Sequence, residues 1–116
     1  MNIERNIEEL RERIAKSAAK SGRKPEDIHV VAVCKTVGVD EVIRAYKAGM
    51  VDFGENRAQD FLKKYENLAE YDLNWHFIGH LQRNKVKYIV DKVKLIHSVD
   101  SIRLAKEIDN QARKIN

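Results

Sequence analysis

Strand-like and helix-like segments alternate along this chain, and this alternation constrains the fold more than any other feature. Short apolar segments begin at Ile28, Val51, Asn74 and Leu95, which spaces the predicted strands about twenty residues apart. A segment with apolar residues at helical spacing follows each of them. The first strand, residues 28–34, is nearly all apolar, which predicts that both of its faces are covered. Four strand–helix units predict an α/β fold with a parallel sheet.

One further helix is predicted before the first strand, because Ile3, Ile7, Leu10 and Ile14 recur at helical spacing and Ser21-Gly22 follows. The other predicted helices cover residues 40–50, 55–68, 81–90 and 102–115. Two architectures fit this order: a small open doubly wound sheet, or half of an eight-stranded barrel, whose complete form has about 250 residues. Periodicity alone does not choose between them.

The composition is that of one globular domain, which we predict to cover residues 1–116. The 43% of hydrophobic residues excludes disorder, and no apolar run approaches the roughly 18 residues of a membrane span. The first residues are charged, unlike a signal peptide, and Cys34 has no second cysteine to pair with. Both observations predict a cytoplasmic location. Since acidic and basic residues alternate, the net charge of +4 does not indicate a nucleic-acid surface.

Polar residues at the predicted strand ends are the candidates for chemistry, because ligands of α/β folds bind there. Lys35 shares a strand face with Val31 and Val33, and a partly desolvated lysine amine is a nucleophile toward aldehydes. The alternative is an ordinary lysine that extends into water. Cys34 falls on the opposite face, which predicts a packed and inert thiol. Asn56, after the second strand, is either a ligand-binding amide or part of an ordinary turn.

The third strand, residues 74–78, carries the densest cluster of candidates. Alternation predicts that Trp75 and Phe77 pack under the helices and that His76 and Ile78 face the other side. His76 is either a proton donor, a ring-stacking partner or a hydrogen-bonded core histidine. The four histidines lack the spacing of a metal site, so no metal is predicted. Neither GxGxxG nor GxxxxGK[ST] occurs, which excludes the usual dinucleotide and P-loop motifs.

Three strand-end motifs together resemble the pyridoxal phosphate homeostasis protein family: VAVCKT at 31–36, FGEN at 53–56 and WHFIGHLQRNK at 75–85. HSVDS at 97–101 also fits the fourth strand of that family, whose fold is similar to the N-terminal barrel domain of alanine racemase. The resemblance implies the N-terminal half of a TIM-type barrel, preceded by an extra helix. It also implies that Lys35 carries pyridoxal 5′-phosphate (PLP) as an internal aldimine and that Asn56 lies in the pocket. His76 and Ile78 are candidates by position only.

The function implied by this resemblance is PLP binding and homeostasis without a catalysed reaction. The alternative is a PLP-dependent barrel enzyme of the racemase or decarboxylase type, which would need a second acid–base group facing the cofactor. A nucleic-acid-binding module has only the basic pI of about 9.2 in its favour. Cys34 stands where the family usually has serine. Because the chain matches half a barrel, we expect weak PLP binding and self-association through open sheet edges.

Overall fold

The computed structural model describes residues 2–115, so Met1 and Asn116, the two ends of the predicted domain, lie outside the described residues. One helix precedes four strand–helix units, as predicted. Within residues 2–115, no helix is long and apolar enough to cross a membrane. The elements are α1 (Ile3–Lys20), β1 (Ala32–Val33), α2 (Val39–Lys47), β2 (Asp52–Glu55), α3 (Ala58–Asn67), β3 (Asn74–Phe77), α4 (Val86–Ile89), β4 (Leu95–Ile96) and α5 (Ile102–Ile115).

The four strands form one parallel sheet in the order β1-β2-β3-β4. Strand–helix–strand crossovers are right-handed. When each new strand joins the same edge of the growing sheet, every connecting helix therefore lies on the same face of the sheet. A doubly wound sheet instead reverses its strand order and carries helices on both faces. The observed order therefore decides between the two architectures and confirms the half-barrel with an extra N-terminal helix.

The hydrophobic core lies between the helices and one face of the sheet. Phe53, Trp75 and Phe77 point to this side, and the ring of Phe61 from α3 meets Trp75 at a centroid distance of 5.4 Å. Each such side chain contributes roughly 1.5–3 kcal/mol when it is buried. The helix-facing positions predicted for Trp75 and Phe77 are confirmed. The rest of the core includes Val42, Leu68, Val86, Ile89 and Leu104.

The other face of the sheet is open. Across it, the register places Val33, Gly54, His76 and Leu95 in one row. Val33 and Leu95 are each 53% exposed, so the prediction that β1 is covered on both faces is wrong. In a closed barrel the opposite strands fill this space, and they are not among the described residues.

Several elements are shorter than predicted. β1 contains two residues of the apolar run 28–34, because β1 is an edge strand with β2 as its partner. The helix predicted from Glu55 begins at Ala58, since Glu55 still pairs with Phe77 in the sheet. The segment 81–90 contains a 3₁₀ turn, Arg83–Lys85, followed by the single-turn helix α4.

Capping residues bound both terminal helices, and the end of α1 at Ser21-Gly22 agrees with the prediction. Gly22, just after α1, has a φ of 73°, a conformation that glycine adopts without strain. At the start of α5, the Ser101 hydroxyl accepts a hydrogen bond from the Leu104 amide at 3.1 Å, as expected of an N-cap serine.

Candidate functional site

Lys35 lies just beyond the carboxyl end of β1 and is exposed. The Cys34 amide donates to the Gly54 carbonyl at 3.1 Å, so pairing with β2 continues to the residue before Lys35. The Cys34 carbonyl then accepts from the Val37 amide at 3.3 Å, which turns the chain toward α2. Lys35 therefore stands at the point where the strand becomes a loop.

A buried ion pair lies directly behind Lys35. Glu55, the last residue of β2, is fully buried, and its Oε2 accepts a hydrogen bond from Lys64 Nζ of α3 at 2.8 Å. The same ammonium donates to the Cys34 carbonyl. The other carboxylate oxygen, Oε1, accepts from the Asn56 amide at 3.0 Å. One carboxylate thus connects the backbone beside Lys35 with the backbone of Asn56.

The Cys34 side chain points to the helices, as predicted, and is 2% exposed. Its thiol donates to the Gly54 carbonyl at 3.4 Å and lies 3.8 Å from Glu55 Oε2. Burial raises the pKa of the thiol to about 11, with Lys64 lowering it and Glu55 raising it further. A thiol that stays protonated is a poor nucleophile, so Cys34 acts as a packing residue.

Asn56 and Gly79 bring the ends of β2 and β3 into close contact. A Cβ atom added at Gly79 would lie 2.1 Å from the Asn56 carbonyl oxygen, so only glycine fits here. The Ser98 hydroxyl, from the loop after β4, donates to the Gly79 carbonyl. These contacts hold three strand ends together.

A cleft of about 530 Å³ opens at these strand ends, beside Asn56 and Gly79. Arg57 and Lys85 supply positive charge, and none of the described residues that line the cleft is acidic. Amide and guanidinium groups of this kind suit an anion such as a phosphate. The lining residues are Asn56, Arg57, Ala58, Gln59, Phe77, Gly79, His80, Leu81, Gln82 and Lys85.

Ile78 lies on the open face of the sheet, as predicted. A Cβ atom added at Gly54 would lie 3.1 Å from Val31 Cγ1 and 3.2 Å from Ile78 Cδ1, so these two side chains fill the space above the glycine. Ile78 is therefore an apolar wall at the level of Lys35, two residues beyond the row that contains Val33 and Gly54.

His76 faces the open side of the sheet, yet it is only 7% exposed. Its Nε2 lies 2.9 Å from Asp52 Oδ1, and its Nδ1 lies 2.9 Å from His97 Nε2. Since an ionised carboxylate only accepts, Nε2 donates to Asp52, and Nδ1 shares a hydrogen bond with His97 Nε2. Both ring nitrogens are thus bonded to protein groups, which favours the hydrogen-bonded histidine among the alternatives. Its role in a cofactor site stays a prediction.

The predicted site residues do not share one cavity. Lys35 lines a separate cleft of about 420 Å³ together with Asp60, Lys63 and Lys64. Asn56 lines the phosphate-suited cleft described above, and His76 lies one row of the sheet below Lys35. Across residues 2–115, no group of three His, Cys, Asp or Glu side chains is arranged to hold a metal ion.

Sequence reasoning missed Glu55, Lys64, Arg57 and Lys85. Glu55 and Arg57 flank Asn56, and Lys85 is the last residue of the motif WHFIGHLQRNK at 75–85. Their position in or beside these motifs could have identified them. Lys64 offered no signal, because a lysine in a helix is ordinarily solvated.

Comparisons with known proteins identify the relatives of this chain. No family model matches it. The curated pyridoxal phosphate homeostasis protein of Aquifex aeolicus is 46% identical to this chain, over the whole chain and 51% of the relative. The protein of the same name from Pseudomonas aeruginosa is 40% identical, over 94% of the chain and 47% of the relative. The protein of that name from Escherichia coli K12 is 34% identical over 95% of the chain and 48% of its own length. The chain spans about half the length of these curated relatives.

Solved structures show the same relation. PipY of Synechococcus elongatus PCC7942, with PLP bound, matches with a TM-score of 0.76 at 38% identity, over 88% of this chain and 49% of PipY. An unknown protein from Bifidobacterium adolescentis matches with a TM-score of 0.89 at 31% identity, over 97% of this chain and 50% of the other. By sequence and by fold, this chain is similar to proteins named pyridoxal phosphate homeostasis protein and to PipY, and it corresponds to about half the length of each.

Proposed function

We propose that this chain forms part of a PLP-binding site at the carboxyl ends of its strands, and that Lys35 is the residue that binds the cofactor covalently through its amine. The observation that carries the proposal is the match to PipY, a structure with PLP bound that is 38% identical to this chain. The position of Lys35 supports it, because an exposed amine stands at the end of β1. PLP supplies an aldehyde that reacts with an amine and a phosphate that needs cationic partners.

The residues present fit both ends of that cofactor. Lys35 provides the amine, and the cleft beside Asn56 provides Arg57, Lys85 and amide groups for a phosphate. Neighbouring strands lie about 4.8 Å apart, so β1 and the cleft between β2 and β3 are separated by one to two such spacings. A single ring with a phosphate arm is of that size. In this proposal Ile78 forms the apolar wall below the ring.

We further propose that the role is binding rather than catalysis. The curated relatives are named for homeostasis of the cofactor rather than for a reaction. His76, which the sequence offered as a proton donor, has both ring nitrogens bonded to Asp52 and His97. An assay for amino-acid racemisation in the presence of PLP tests this part, and turnover that disappears in Lys35→Ala would contradict it.

Covalent labelling tests the binding proposal. The chain is titrated with PLP, reduced with borohydride, digested and mapped by mass spectrometry. A saturable label on the peptide that contains Lys35 is expected, together with a change in absorbance that Lys35→Ala abolishes. A label spread over many lysines, or one that persists in Lys35→Ala, would refute the assignment.

The phosphate part of the proposal is tested separately. Arg57→Gln/Lys85→Gln removes two charges from the cleft and should weaken labelling by PLP more than labelling by pyridoxal, which lacks the phosphate. Arg103→Gln/Lys106→Gln removes the same charges from exposed positions of α5 and is the matched control. Equal losses with both ligands would show that the cleft does not bind the phosphate.

A further inference from the structure

The loop that carries Lys35 is held from behind by a charged pair that the proposed function has not yet used. Lys64 of α3 is 9% exposed and Glu55 is fully buried, and their atoms Nζ and Oε2 are 2.8 Å apart. Lys64 Nζ also donates to the Cys34 carbonyl, while Glu55 Oε1 accepts from the Asn56 amide. The pair therefore binds main-chain groups next to two predicted site residues.

Packing alone does not explain a buried ion pair at this position. Removing two charges from water is costly, and apolar residues of similar size are often as good or better for stability. Apolar side chains cannot, however, bind the polar main-chain groups left where the β1–β2 ladder stops. The Cys34 carbonyl is such a group, and Lys64 supplies a donor to it.

The effect on Lys35 follows from peptide geometry. The Cys34 carbonyl and the Lys35 amide belong to the same planar peptide unit, so holding the carbonyl also orients the bond to the Lys35 Cα. The turn formed by the Val37 amide, 3.3 Å from the same carbonyl oxygen, holds the other side of the loop. The direction in which the Lys35 side chain leaves the sheet is thus restrained by the Val37 amide and by Lys64, which also lines the cleft beside Lys35.

We propose that Glu55 and Lys64 are positioning residues for Lys35. The Glu55 carboxylate binds Lys64, which in turn binds the peptide before Lys35. The second oxygen of the same carboxylate binds the Asn56 amide, so the Lys35 amine and the cleft beside Asn56 keep a constant separation. This inference rests on the proposed function, because it concerns the orientation of the amine that binds the cofactor.

The test uses the labelling experiment on the full chain. Glu55→Gln/Lys64→Met replaces the pair by uncharged residues of similar size, so that no unpaired charge is buried. Glu66→Gln/Lys106→Met makes the same chemical changes at two exposed helical positions and is the matched control. For each variant, the PLP concentration for half-maximal labelling of Lys35 is measured, and the label on Lys35 is compared with that on exposed lysines in the same sample.

The pair variant should need about tenfold more PLP, the lower end of the effect that outer hydrogen-bond partners have on metal affinity. The control should match the unmodified chain. The comparison with exposed lysines separates positioning from simple destabilisation, because partial unfolding would raise labelling at all lysines, whereas a misdirected Lys35 loses label at one. Circular dichroism verifies that the variants are folded at the assay temperature.

Glu55→Gln alone is the second variant, and it decides the question if the double variant does not fold. It keeps Lys64 near the Cys34 carbonyl, but its side chain has one acceptor oxygen for two donors, Lys64 Nζ and the Asn56 amide. Labelling of Lys35 should therefore be weaker than in the unmodified chain and stronger than in the double variant. Unchanged labelling in folded Glu55→Gln or in the folded double variant would overturn the inference and leave the proposed function standing. Absence of any Lys35 label in the unmodified chain would overturn both.

Discussion

The contact between Gly79 and Asn56 predicts that Gly79→Ala is strongly destabilising. The new Cβ would lie 2.1 Å from the Asn56 carbonyl oxygen and 2.7 Å from its carbonyl carbon and Cα, all of them backbone atoms that cannot rotate away. The φ of Gly79 is not positive, so the cost comes from this contact and not from backbone strain. A normal separation requires the ends of β2 and β3 to move apart by about 1 Å.

The magnitude follows from what that movement disturbs. The hydrogen bond from the Ile78 amide to the Glu55 carbonyl, 2.9 Å long, and the bond from Ser98 to the Gly79 carbonyl both span the affected region. Each contributes roughly 0.5–1.5 kcal/mol, and overpacking adds about 1–3 kcal/mol. The free energy of unfolding should therefore fall by about 2–6 kcal/mol, a large share of the typical 5–15 kcal/mol.

Thermal and urea unfolding followed by circular dichroism measure this loss. A decrease of 2 kcal/mol corresponds to a melting temperature lower by about 8 °C in a domain of this size. Gly38→Ala is the matched control, because its Cβ would meet only the flexible Glu41 carboxylate, at 3.1 Å, and its expected cost is about 1 kcal/mol for a poorer N-cap. A Gly79→Ala variant no less stable than Gly38→Ala would refute the reasoning.

Three further predictions concern charge, pH and association. Lys64→Met should lower the free energy of unfolding, measured in urea, by about 3–5 kcal/mol because it leaves the Glu55 carboxylate buried and unpaired. Glu55→Gln/Lys64→Met should lower it less, and a double variant as unstable as the single one would contradict this. Burial raises the pKa of the folded Cys34 thiol to about 11, so the thiol keeps its proton to higher pH in the folded chain than in the unfolded chain. The free energy of unfolding should therefore fall by about 2–3 kcal/mol as the pH rises from about 9 to 11. Cys34→Ala should lose less over that window, and equal losses would show that the thiol is not responsible. With Val33 and Leu95 each 53% exposed, light scattering should detect a mass that rises with concentration, whereas a constant monomer mass would contradict self-association.

Much of the fold could be predicted because it depends on local pattern. The alternation through Trp75 and Phe77 identified the helix-facing side of β3, and the repeated strand–helix order predicted a parallel sheet. The position of Lys35 at a strand end followed from the same pattern. The choice of a barrel came from the motif resemblance, and the strand order of the sheet now supports it independently.

The polar interior could not be predicted, because it depends on contacts between distant parts of the chain. Glu55 was placed at the start of a helix, but pairing with Phe77 makes it the last residue of a buried strand. Lys64 reaches the Cys34 carbonyl, thirty positions away, and local helical pattern cannot reveal this. Likewise, the partners of His76 come from the neighbouring strand and from the loop after β4.

The strand order β1-β2-β3-β4 also has a consequence for folding kinetics. Each strand hydrogen-bonds to the next one in sequence, so every pairing in the sheet closes a loop of only about twenty residues. Loop-closure entropy grows with loop length, and domains dominated by nearby pairings fold faster than those that join distant segments. Because domains begin to form while the chain is still being synthesised, each strand–helix unit can dock on the one before it as it leaves the ribosome.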